Sequence, residues 1–351
     1  MSLSSDRVRA DGGQPLAHLG GQLATGLAEV SDDPRVLDGG GRWAVVLTYE
    51  GELTCARFTD WRQAPLPPAR RWIGPPAGEW TTSLDRAAYI AAVAETRERI
   101  AAGTVYQANI CRVLSAPLPD GSADLLPLAA LLAERHHAPY AGLVRLPEAG
   151  VQVATASPEL FLRRDGRRVT SSPIKGTGRT VGDLVPKDVA ENVMIVDLVR
   201  NDLSRVCETG SVAVSDLLAV EKHPGLVHLV STVTGLLAGG MGWPELLAAT
   251  FPPGSVTGAP KSTAVRTISE LEPVPRGPYC GAVGWVDADT GQAELAVGIR
   301  TFWTSGGTLR FGTGAGITWG SDPEREWTET ELKAERLVGL ASPGAVAKGI
   351  R

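Results

Sequence analysis

The 351-residue sequence has few of the residues from which thiol-based sites are built. It contains only four cysteines, and no two of them form a CxxC pair; they are Cys55, Cys111, Cys207 and Cys280. Structural zinc sites and disulfide frameworks depend on closely spaced or paired cysteines. Neither is therefore indicated, and a reducing compartment is the simpler interpretation.

A basic surplus is also missing. The sequence has 34 lysines and arginines against 39 aspartates and glutamates, which gives a net charge of −5. Proteins that bind nucleic acids normally carry a positive field, so we expect no nucleic-acid partner. A small anionic substrate is not excluded, because a few local cations can hold one.

Long hydrophobic runs are absent as well. The most apolar stretch, residues 125–132, is much shorter than the roughly 18 residues that cross a bilayer. The first 21 residues lack the apolar centre of a signal peptide. We therefore expect a cytoplasmic protein without a membrane partner.

The sequence does contain a mixture of strand and helix patterns. Strands are predicted at 43–49, 53–58, 281–287, 294–303 and 309–317, with a hairpin within 154–172. Helices are predicted at 83–102, 186–208, 243–251, 259–271 and 323–338, with Ser83 and Asp322 as the N-caps of the first and the last. The proline-rich segment 64–80 is expected to be a connector. This mixture favours an α+β fold with sizeable antiparallel sheets.

Two residues are candidates for nucleophilic and acid–base chemistry. Lys175 lies between Ile174 and Gly176, where an apolar neighbour could leave its amine partly desolvated and nucleophilic. The alternative is a solvated loop lysine. Glu159 precedes a predicted strand and could be a general acid, or simply an exposed glutamate in a turn.

Carboxylates on two predicted helices form a second group of candidates. Asp188 and Glu191 are three residues apart and share a helix face, and Glu326 and Glu329 lie on the last helix. Glu329 also precedes Lys333 by four residues, so an exposed ion pair is one interpretation. The other is that Glu191 and Glu329 bind a hard cation such as Mg²⁺, for which carboxylates are suitable ligands. Spacing alone leaves both open.

Several residues could bind an anion or donate a hydrogen bond. The glycine-rich segment 312–317 lacks the GK[ST] ending of a phosphate loop, but its backbone N–H groups could bind a carboxylate. Arg300 could add a bidentate contact, and Tyr279 and Thr257 could add hydroxyl donors. A structural role in a turn or strand end is the alternative for each. His228 lies in an apolar segment, where a hydrogen-bonded core histidine is the default.

Taken in order, these motifs resemble those of the chorismate-utilising enzymes, which include anthranilate synthase and aminodeoxychorismate synthase components I and the isochorismate and salicylate synthases. The matching blocks are YQANICR (106–112), SPELF (157–161), PIKGT (173–177), ENVMIVDLVRNDL (191–203), HLVSTVTG (228–235), FPPGSVTGAPK (251–261), GAVGW (281–285), GIRTF (298–302), GAGI (314–317) and SDPEREWTET (321–330). The resemblance implies a single large α+β domain in which two mainly antiparallel sheets pack face to face, with helices outside and the site in the cleft. It also implies a shortened N-terminal region that contributes strands (1–82), a catalytic core (83–340) and a C-terminal tail (341–351).

The resemblance assigns roles to the candidate residues. Substrate contacts are implied for Gln107, Thr257, Tyr279, Arg300, Gly314, Ala315 and Gly316. Mg²⁺ would be bound by Glu191 and Glu329, with Asp188 and Glu326 in an outer shell. Glu159 and His228 would flank the hydroxyl group that leaves the chorismate ring.

Two positions distinguish the reactions of this family. The isochorismate and salicylate synthases have a water-activating lysine where this chain has Gln107, and anthranilate synthases have a small residue where it has Lys175. The PIKGT form resembles aminodeoxychorismate synthase, in which the lysine amine attacks ring carbon 2 and ammonia then displaces it by attack at carbon 4. That activity implies a glutamine amidotransferase subunit as the ammonia source. Anthranilate synthase component I and a non-catalytic chorismate-binding subunit are the alternatives.

Overall fold

The computed structural model describes residues 13–119, 124–178, 180–184, 186–223 and 226–342. The strands are β1 (Leu16–Leu19), β2 (Gln22–Ser31), β3 (Arg42–Leu47), β4 (Leu53–Gln63), β5 (Thr81–Thr82), β6 (Gln107–Pro117), β7 (Tyr140–Leu146), β8 (Val151–Ser157), β9 (Leu160–Asp165), β10 (Arg168–Ser172), β11 (Ile174–Gly178), β12 (Ala213–His223), β13 (Leu226–Leu236), β14 (Gly258–Ala259), β15 (Ala282–Asp287), β16 (Gln292–Val297), β17 (Thr301–Ser305) and β18 (Thr308–Ile317). The α-helices are α1 (Arg86–Ala101), α2 (Leu126–Arg135), α3 (Pro186–Ser204), α4 (Trp243–Thr250), α5 (Lys261–Leu271) and α6 (Pro323–Ala341).

All strand pairings in the described part of the chain are antiparallel. One stretch runs β13–β10–β9–β16–β15–β3–β4–β2, with β11 and β12 also paired to β13. The other runs β1–β7–β8–β17–β18–β6. The β1–β2 hairpin joins the two stretches, so that the expected pair of sheets forms one hydrogen-bonded network. The predicted α+β class, with large antiparallel β structure and helices, is confirmed.

The helices bury their apolar sides against this β structure. Helix α6 packs Leu337 and Val338 into a cluster that includes Phe302 and Phe311, whose ring centroids are 4.7 Å apart. A fully buried side chain of this size stabilises the fold by about 1.5–3 kcal/mol, so α6 is firmly seated on β18. None of the helices in the described ranges is both long and apolar enough to cross a membrane.

Most predicted elements are present, and the exceptions have local causes. The strands predicted around Glu50 and Gly51 form the β3–β4 hairpin, and Asp322 caps α6 by accepting a hydrogen bond from Arg325 N at 3.0 Å. The predicted cap at Ser83 is wrong. Its hydroxyl accepts from the backbone N–H of strand β6 instead, and α1 begins at Arg86 behind Asp85, which accepts from Ala88 N at 2.8 Å.

One predicted strand is divided in two, and the segment 154–172 contains a further strand before its hairpin. The segment 294–303 is broken between β16 and β17, because Arg300 has a φ of +52°, which no continuous strand tolerates. The predicted hairpin is present as β9 and β10, with its turn at Asp165 and Gly166, and the residues before it form β8, which pairs with β7 and β17. The apolar stretch at 125–132, for which no helix was predicted, lies largely within α2.

The proposed division of the chain at residues 82 and 340 stays a prediction. Strand β3 of the N-terminal region pairs with β15, and β1 pairs with β7, so this region contributes strands to the same network. Most of the predicted C-terminal tail, and residues 1–12, lie outside the described residues.

Candidate active site

A cavity of 600 Å³ lies between elements of the two strand stretches. Ten predicted site residues line it: Glu159, Lys175, Asp188, Glu191, His228, Tyr279, Arg300, Gly314, Gly316 and Glu329. Four others are buried and do not form its wall: Gln107, Thr257, Ala315 and Glu326. The fold therefore brings residues from distant parts of the sequence to one concave surface, which is the usual form of a small-molecule site.

Gly316 keeps open the point where three functional groups converge. A Cβ atom added there would lie 2.5 Å from Gln107 Nε2, 3.4 Å from Lys175 Nζ and 3.6 Å from Glu191 Oε2. Any side chain at this position would fill the space between the amine and the carboxylate. The Gln107 Oε1 atom is buried and has no hydrogen-bond partner among the described residues, although Gln107 does not itself reach the wall.

Strand β11 carries Lys175 close to helix α3. Gly176 has a φ of +86°, and a Cβ atom there would lie 2.9 Å from the Asp188 Cβ. Glycine is therefore required both by the backbone conformation and by the close approach of α3. Because of this contact, Lys175 and Asp188 line the same cavity although they belong to different elements.

Glu159 is a buried carboxyl group in the link between β8 and β9. Burial raises its pKa to about 7, although a hydrogen bond with Ser255 and the positive charge of Lys175 act in the opposite direction. A carboxyl group with this pKa is half protonated near neutral pH and can donate a proton to a leaving group. His228, on β13, is buried in the same wall and lies opposite Glu221 in the β12–β13 register.

Helices α3 and α6 bring an acidic cluster together around one lysine. Lys187 Nζ lies 2.9 Å from Glu326 Oε1 and 3.5 Å from Glu191 Oε1. Burial raises the pKa of Glu191, and the nearby charges of Glu326 and Glu329 add to this effect against the opposing charges of Lys175 and Lys187. The uncharged form of Glu191 is therefore favoured mainly by burial.

The donor atoms of this cluster fit a hard cation. Glu191 Oε1 and Glu326 Oε2 are buried, and neither has a hydrogen-bond partner within the described residues. No complete cage of three or more ligating side chains is present in the described ranges. Magnesium usually takes one or two carboxylates together with water and substrate oxygens, so these two oxygens could serve such an ion only with those further ligands.

Lys333 connects the last helix to the glycine-rich strand. Its ammonium lies 2.6 Å from Glu329 Oε1 and donates to the Gly314 carbonyl at 3.0 Å. Burial opposes ionisation of Glu329, but Lys333 and the other lysines outweigh it and lower the pKa of this carboxyl group. The ion pair suggested by the spacing is thus present, and it lies on the cavity wall.

Arg300 and Tyr279 line another part of the cavity. Burial, together with the charge of Arg336, lowers the pKa of Arg300. The Tyr279 ring packs directly over Gly312, where an added Cβ atom would lie 2.1 Å from the ring Cγ. Burial raises the pKa of Tyr279 well above its ordinary value, so its hydroxyl stays protonated and can donate a hydrogen bond.

Thr257 and Ala315 are directed elsewhere. The Thr257 hydroxyl donates to the Pro253 carbonyl at 3.0 Å, so its hydrogen is already used within the turn. The Ala315 side chain belongs to the apolar cluster beneath α1 and α5. Their predicted substrate contacts stay predictions.

Seven further polar residues line the cavity and were not among the predicted site residues: Asn109, His136, Lys187, Ser255, Thr313, Lys333 and Arg336. Lys187 precedes Glu191 by four residues, and Arg336 follows Glu329 by seven, so helical spacing was an available signal for both. His136 follows the end of α2, and only the tertiary fold brings it to the site.

Comparison with known proteins identifies the family. The sequence profile described as "chorismate binding enzyme" matches residues 52–339. Anthranilate synthase component 1 of Thermus thermophilus is 39% identical over 290 residues, which cover 79% of this chain and 61% of the relative. An aminodeoxychorismate synthase of Streptomyces griseus is also 39% identical, over 281 residues that cover 76% of this chain and 38% of the relative. The chain thus spans less than two thirds of the length of these curated relatives.

Solved structures agree with this relationship. The putative 2,3-dihydroxybenzoate-specific isochorismate synthase of Bacillus anthracis superimposes with a TM-score of 0.76 at 26% identity, covering 93% of this chain and 96% of the other. Anthranilate synthase component I of Streptococcus pneumoniae shares the fold, with a TM-score of 0.77 at 22% identity and coverage of 96% and 95%. Together with the match over most of the sequence, these similarities establish that the chain belongs to the chorismate-binding enzyme family.

Proposed function

We propose that this chain is an aminodeoxychorismate synthase component I, which converts chorismate and ammonia into 4-amino-4-deoxychorismate and water. The observation that carries the proposal is the lysine at position 175, which lines the same cavity as Glu159. Overall similarity does not discriminate, because relatives named anthranilate synthase and aminodeoxychorismate synthase both reach 39% identity. The PIKGT motif supports the second of these reactions.

In the proposed first step, the neutral Lys175 amine attacks ring carbon 2 of chorismate. The ring double bonds shift, the bond between carbon 4 and its hydroxyl oxygen breaks, and Glu159 donates the proton with which that oxygen leaves as water. Its pKa of about 7 supports this role, because a proton is available near neutral pH. The secondary ammonium formed on Lys175 then passes one proton to the Glu159 carboxylate, which becomes a carboxylic acid again.

In the second step, ammonia attacks carbon 4. The double bonds shift back, the bond between carbon 2 and Lys175 breaks, and the lysine nitrogen takes up the electron pair. It also takes up the proton that the new ammonium group at carbon 4 gives up. The covalent route divides one difficult substitution into two easier ones. The substrate's enolpyruvyl group stays attached throughout, so no pyruvate is released.

The remaining residues would hold the substrate. Arg300, Tyr279 and the backbone of Gly314 and Gly316 would bind the carboxylate of its side chain. Glu191 and Glu329 would bind Mg²⁺, with Asp188 and Glu326 beside it, and the ion would offset the repulsion between a dianionic substrate and an acidic wall. The buried Glu191 Oε1 and Glu326 Oε2 atoms, which accept no hydrogen bond from the described residues, support such a site. His228 would flank the departing hydroxyl.

A glutamine amidotransferase subunit is the proposed source of ammonia, by analogy with the family. The second candidate function is anthranilate synthase component I, which is favoured by the similarity to the Thermus thermophilus protein. The two reactions share chorismate and ammonia and differ in their products, so product identity separates them.

The test is to incubate the purified chain with chorismate, Mg²⁺ and a high concentration of ammonium at mildly alkaline pH. Chromatography with mass spectrometry identifies the product, and a coupled assay measures pyruvate. An aminated product that keeps its enolpyruvyl group, without pyruvate, supports the proposal. Anthranilate with an equal amount of pyruvate contradicts it and supports the second candidate. Chorismate that binds but does not react indicates a non-catalytic subunit.

A further inference from the structure

Three nitrogen-bearing side chains, which come from separate elements, line the same cavity. Arg300 lies between β16 and β17, His136 follows α2, and Arg336 lies on α6. Neither guanidinium has an acidic partner within ion-pair distance in the part of the chain that the structure describes. Two cations without an acidic partner on the wall of one cavity point to an anionic ligand.

Arg336 is held in place by the backbone of α2. Its Nη2 donates to the carbonyl oxygen of Arg135, the last residue of that helix, at 2.8 Å. One of the five guanidinium N–H groups is thereby used, and the remaining donors are available to a ligand. Because the charge of Arg336 lowers the pKa of Arg300, the two groups are close enough to repel each other.

His136 adds a neutral hydrogen-bonding group. Burial, with the charges of Arg300, Arg336 and His137, lowers its pKa to about 4, so the imidazole is uncharged near neutral pH. Its Nε2 atom is buried without a hydrogen-bond partner among the described residues. Buried polar atoms nearly always have a hydrogen-bond partner in folded proteins, so a bound ligand or water is expected to hydrogen-bond to this nitrogen.

We propose that Arg336 and His136 complete, with Arg300, a binding compartment for the carboxylate on the substrate's side chain. In this arrangement a carboxylate bridges the two guanidiniums, removes their mutual repulsion and contacts the His136 ring. Arg336 is thus a specificity-determining residue that favours substrates with a second carboxylate over those with the ring carboxylate alone. This inference rests on the proposed use of chorismate, but it holds for either amination product.

The neighbouring wall suits the rest of such a side chain. Ile299, which precedes Arg300, and Leu337, which follows Arg336, line the cavity, as does Phe311 of β18. Apolar contacts beside a charged end fit a short carbon chain that ends in a carboxylate. A free inorganic anion would make no use of these apolar contacts.

The test compares two ligands and four variants. Chorismate has both carboxylates, whereas benzoate has only the one attached to the ring. For Arg336→Ala we expect a Kd and KM for chorismate raised at least about tenfold with kcat within about threefold, and an unchanged Kd for benzoate. Arg336→Lys should have an intermediate Kd for chorismate, because an ammonium keeps the charge but lacks the two parallel N–H donors of the guanidinium. His136→Phe should weaken chorismate binding more than benzoate binding.

Arg325→Ala is the matched control, since Arg325 is an exposed arginine on the same helix and does not line the cavity. Its Kd and KM for chorismate and its Kd for benzoate should equal those of the wild type. Equal chorismate affinity in Arg336→Ala and the wild type, or an equal loss for benzoate, would overturn the inference and leave the proposed function standing. If the wild type binds no chorismate, the proposed function fails and this inference fails with it.

A second readout is independent of substrate and detects misfolding. In Arg336→Ala the pKa of His136 should rise from about 4, because one of the charges that lowers it is gone. Proton NMR titration of the five histidines measures this shift. A folded variant in which His136 titrates as in the wild type would contradict the arrangement.

Discussion

Lys187 Nζ lies 2.9 Å from Glu326 Oε1, so an ammonium ion already reaches the carboxylates proposed to surround Mg²⁺. A Mg²⁺ ion bound among these carboxylates would lie near the ammonium, and the two positive charges would repel each other. Lys187→Gln should therefore tighten Mg²⁺ binding at least about fivefold, measured by isothermal titration or by the Mg²⁺ dependence of activity. Lys187→Arg keeps the charge and should change the Mg²⁺ affinity little. Weaker binding in Lys187→Gln would show that the ion lies elsewhere.

Removing one of the proposed ligands should have the opposite effect. Glu191→Gln and Glu329→Gln each lose a negative oxygen, so the Mg²⁺ concentration for half-maximal binding should rise at least about tenfold. Glu335→Gln is the control, because Glu335 is an exposed residue of α6 that does not line the cavity. An unchanged Mg²⁺ titration in Glu329→Gln would mean that a different carboxylate is the ligand.

Lys175 should be required for chemistry and not for substrate binding. Lys175→Ala removes the proposed nucleophile, and we expect amination at carbon 4 to fall at least about 100-fold while chorismate still binds. Lys175→Arg keeps the positive charge but has no nucleophilic amine, so it should be equally inactive. Full activity in either variant, measured as product by mass spectrometry, would refute the covalent route.

Glu159 should determine the alkaline limb of the pH profile. Its pKa of about 7 means that the proton needed by the leaving hydroxyl is lost as the pH rises through 7, so kcat/KM should decline there. In Glu159→Gln this limb should disappear and the rate at pH 7 should fall about 100-fold. A limb that persists in the variant would assign it to another group.

The same carboxyl group links stability to pH. Its pKa is raised from an ordinary value of 4.5 to about 7. Its favourable contribution to the free energy of unfolding is therefore complete below pH 4.5 and is lost as the pH rises through 7. Glu159→Gln stays neutral and should unfold at a higher temperature than the wild type at pH 8. The gain is at most about 3 kcal/mol, and near pH 4.5 the two proteins should be equally stable. Thermal unfolding of the variant and the wild type at pH 8 and near pH 4.5 tests the direction of this difference.

Gly312 should be intolerant of even a methyl group. The Tyr279 ring occupies the space that a Cβ atom would need, so Gly312→Ala should displace the ring, cost roughly 1–3 kcal/mol of stability and raise KM. Gly339→Ala is the control within a helix, since no atom lies within 4 Å of its Cβ position. That change should stabilise the protein by up to about 1 kcal/mol. Similar effects of the two substitutions would contradict the packing described here.

Local sequence predicted those parts of the fold that local chemistry determines. A turn between two apolar strands was sufficient for the β3–β4 hairpin, and Asp322 before Pro323 was sufficient for the start of α6. Ser83 was misassigned because a serine is an equally good partner for a neighbouring strand, and that strand is remote in sequence. The break at Arg300 could not be predicted, because no glycine marks its positive φ.

The site was predictable only as far as its motifs extended. The motif residues Glu159, Lys175 and Glu191 do line one cavity, although their roles stay proposals. His136 and Arg336 lie outside every motif, and they meet Arg300 only because α2 ends against α6. Such convergence is a property of tertiary packing and leaves no signal in a short window of sequence.

The spacing of three residues along helix α6 sets a distance within the cavity. Glu329, Lys333 and Arg336 are spaced at four and three residues, so all three lie along one face of a single rigid helix. At 1.5 Å per residue, the first and last are about 10 Å apart along the axis. The distance along α6 between the proposed Mg²⁺ ligand and the proposed carboxylate-binding arginine is therefore set by the number of residues between them. Inserting one residue after Lys333 would turn Arg336 by about 100° around the helix axis, so it would no longer share a face with Glu329. Most single substitutions in the segment would leave this spacing unchanged.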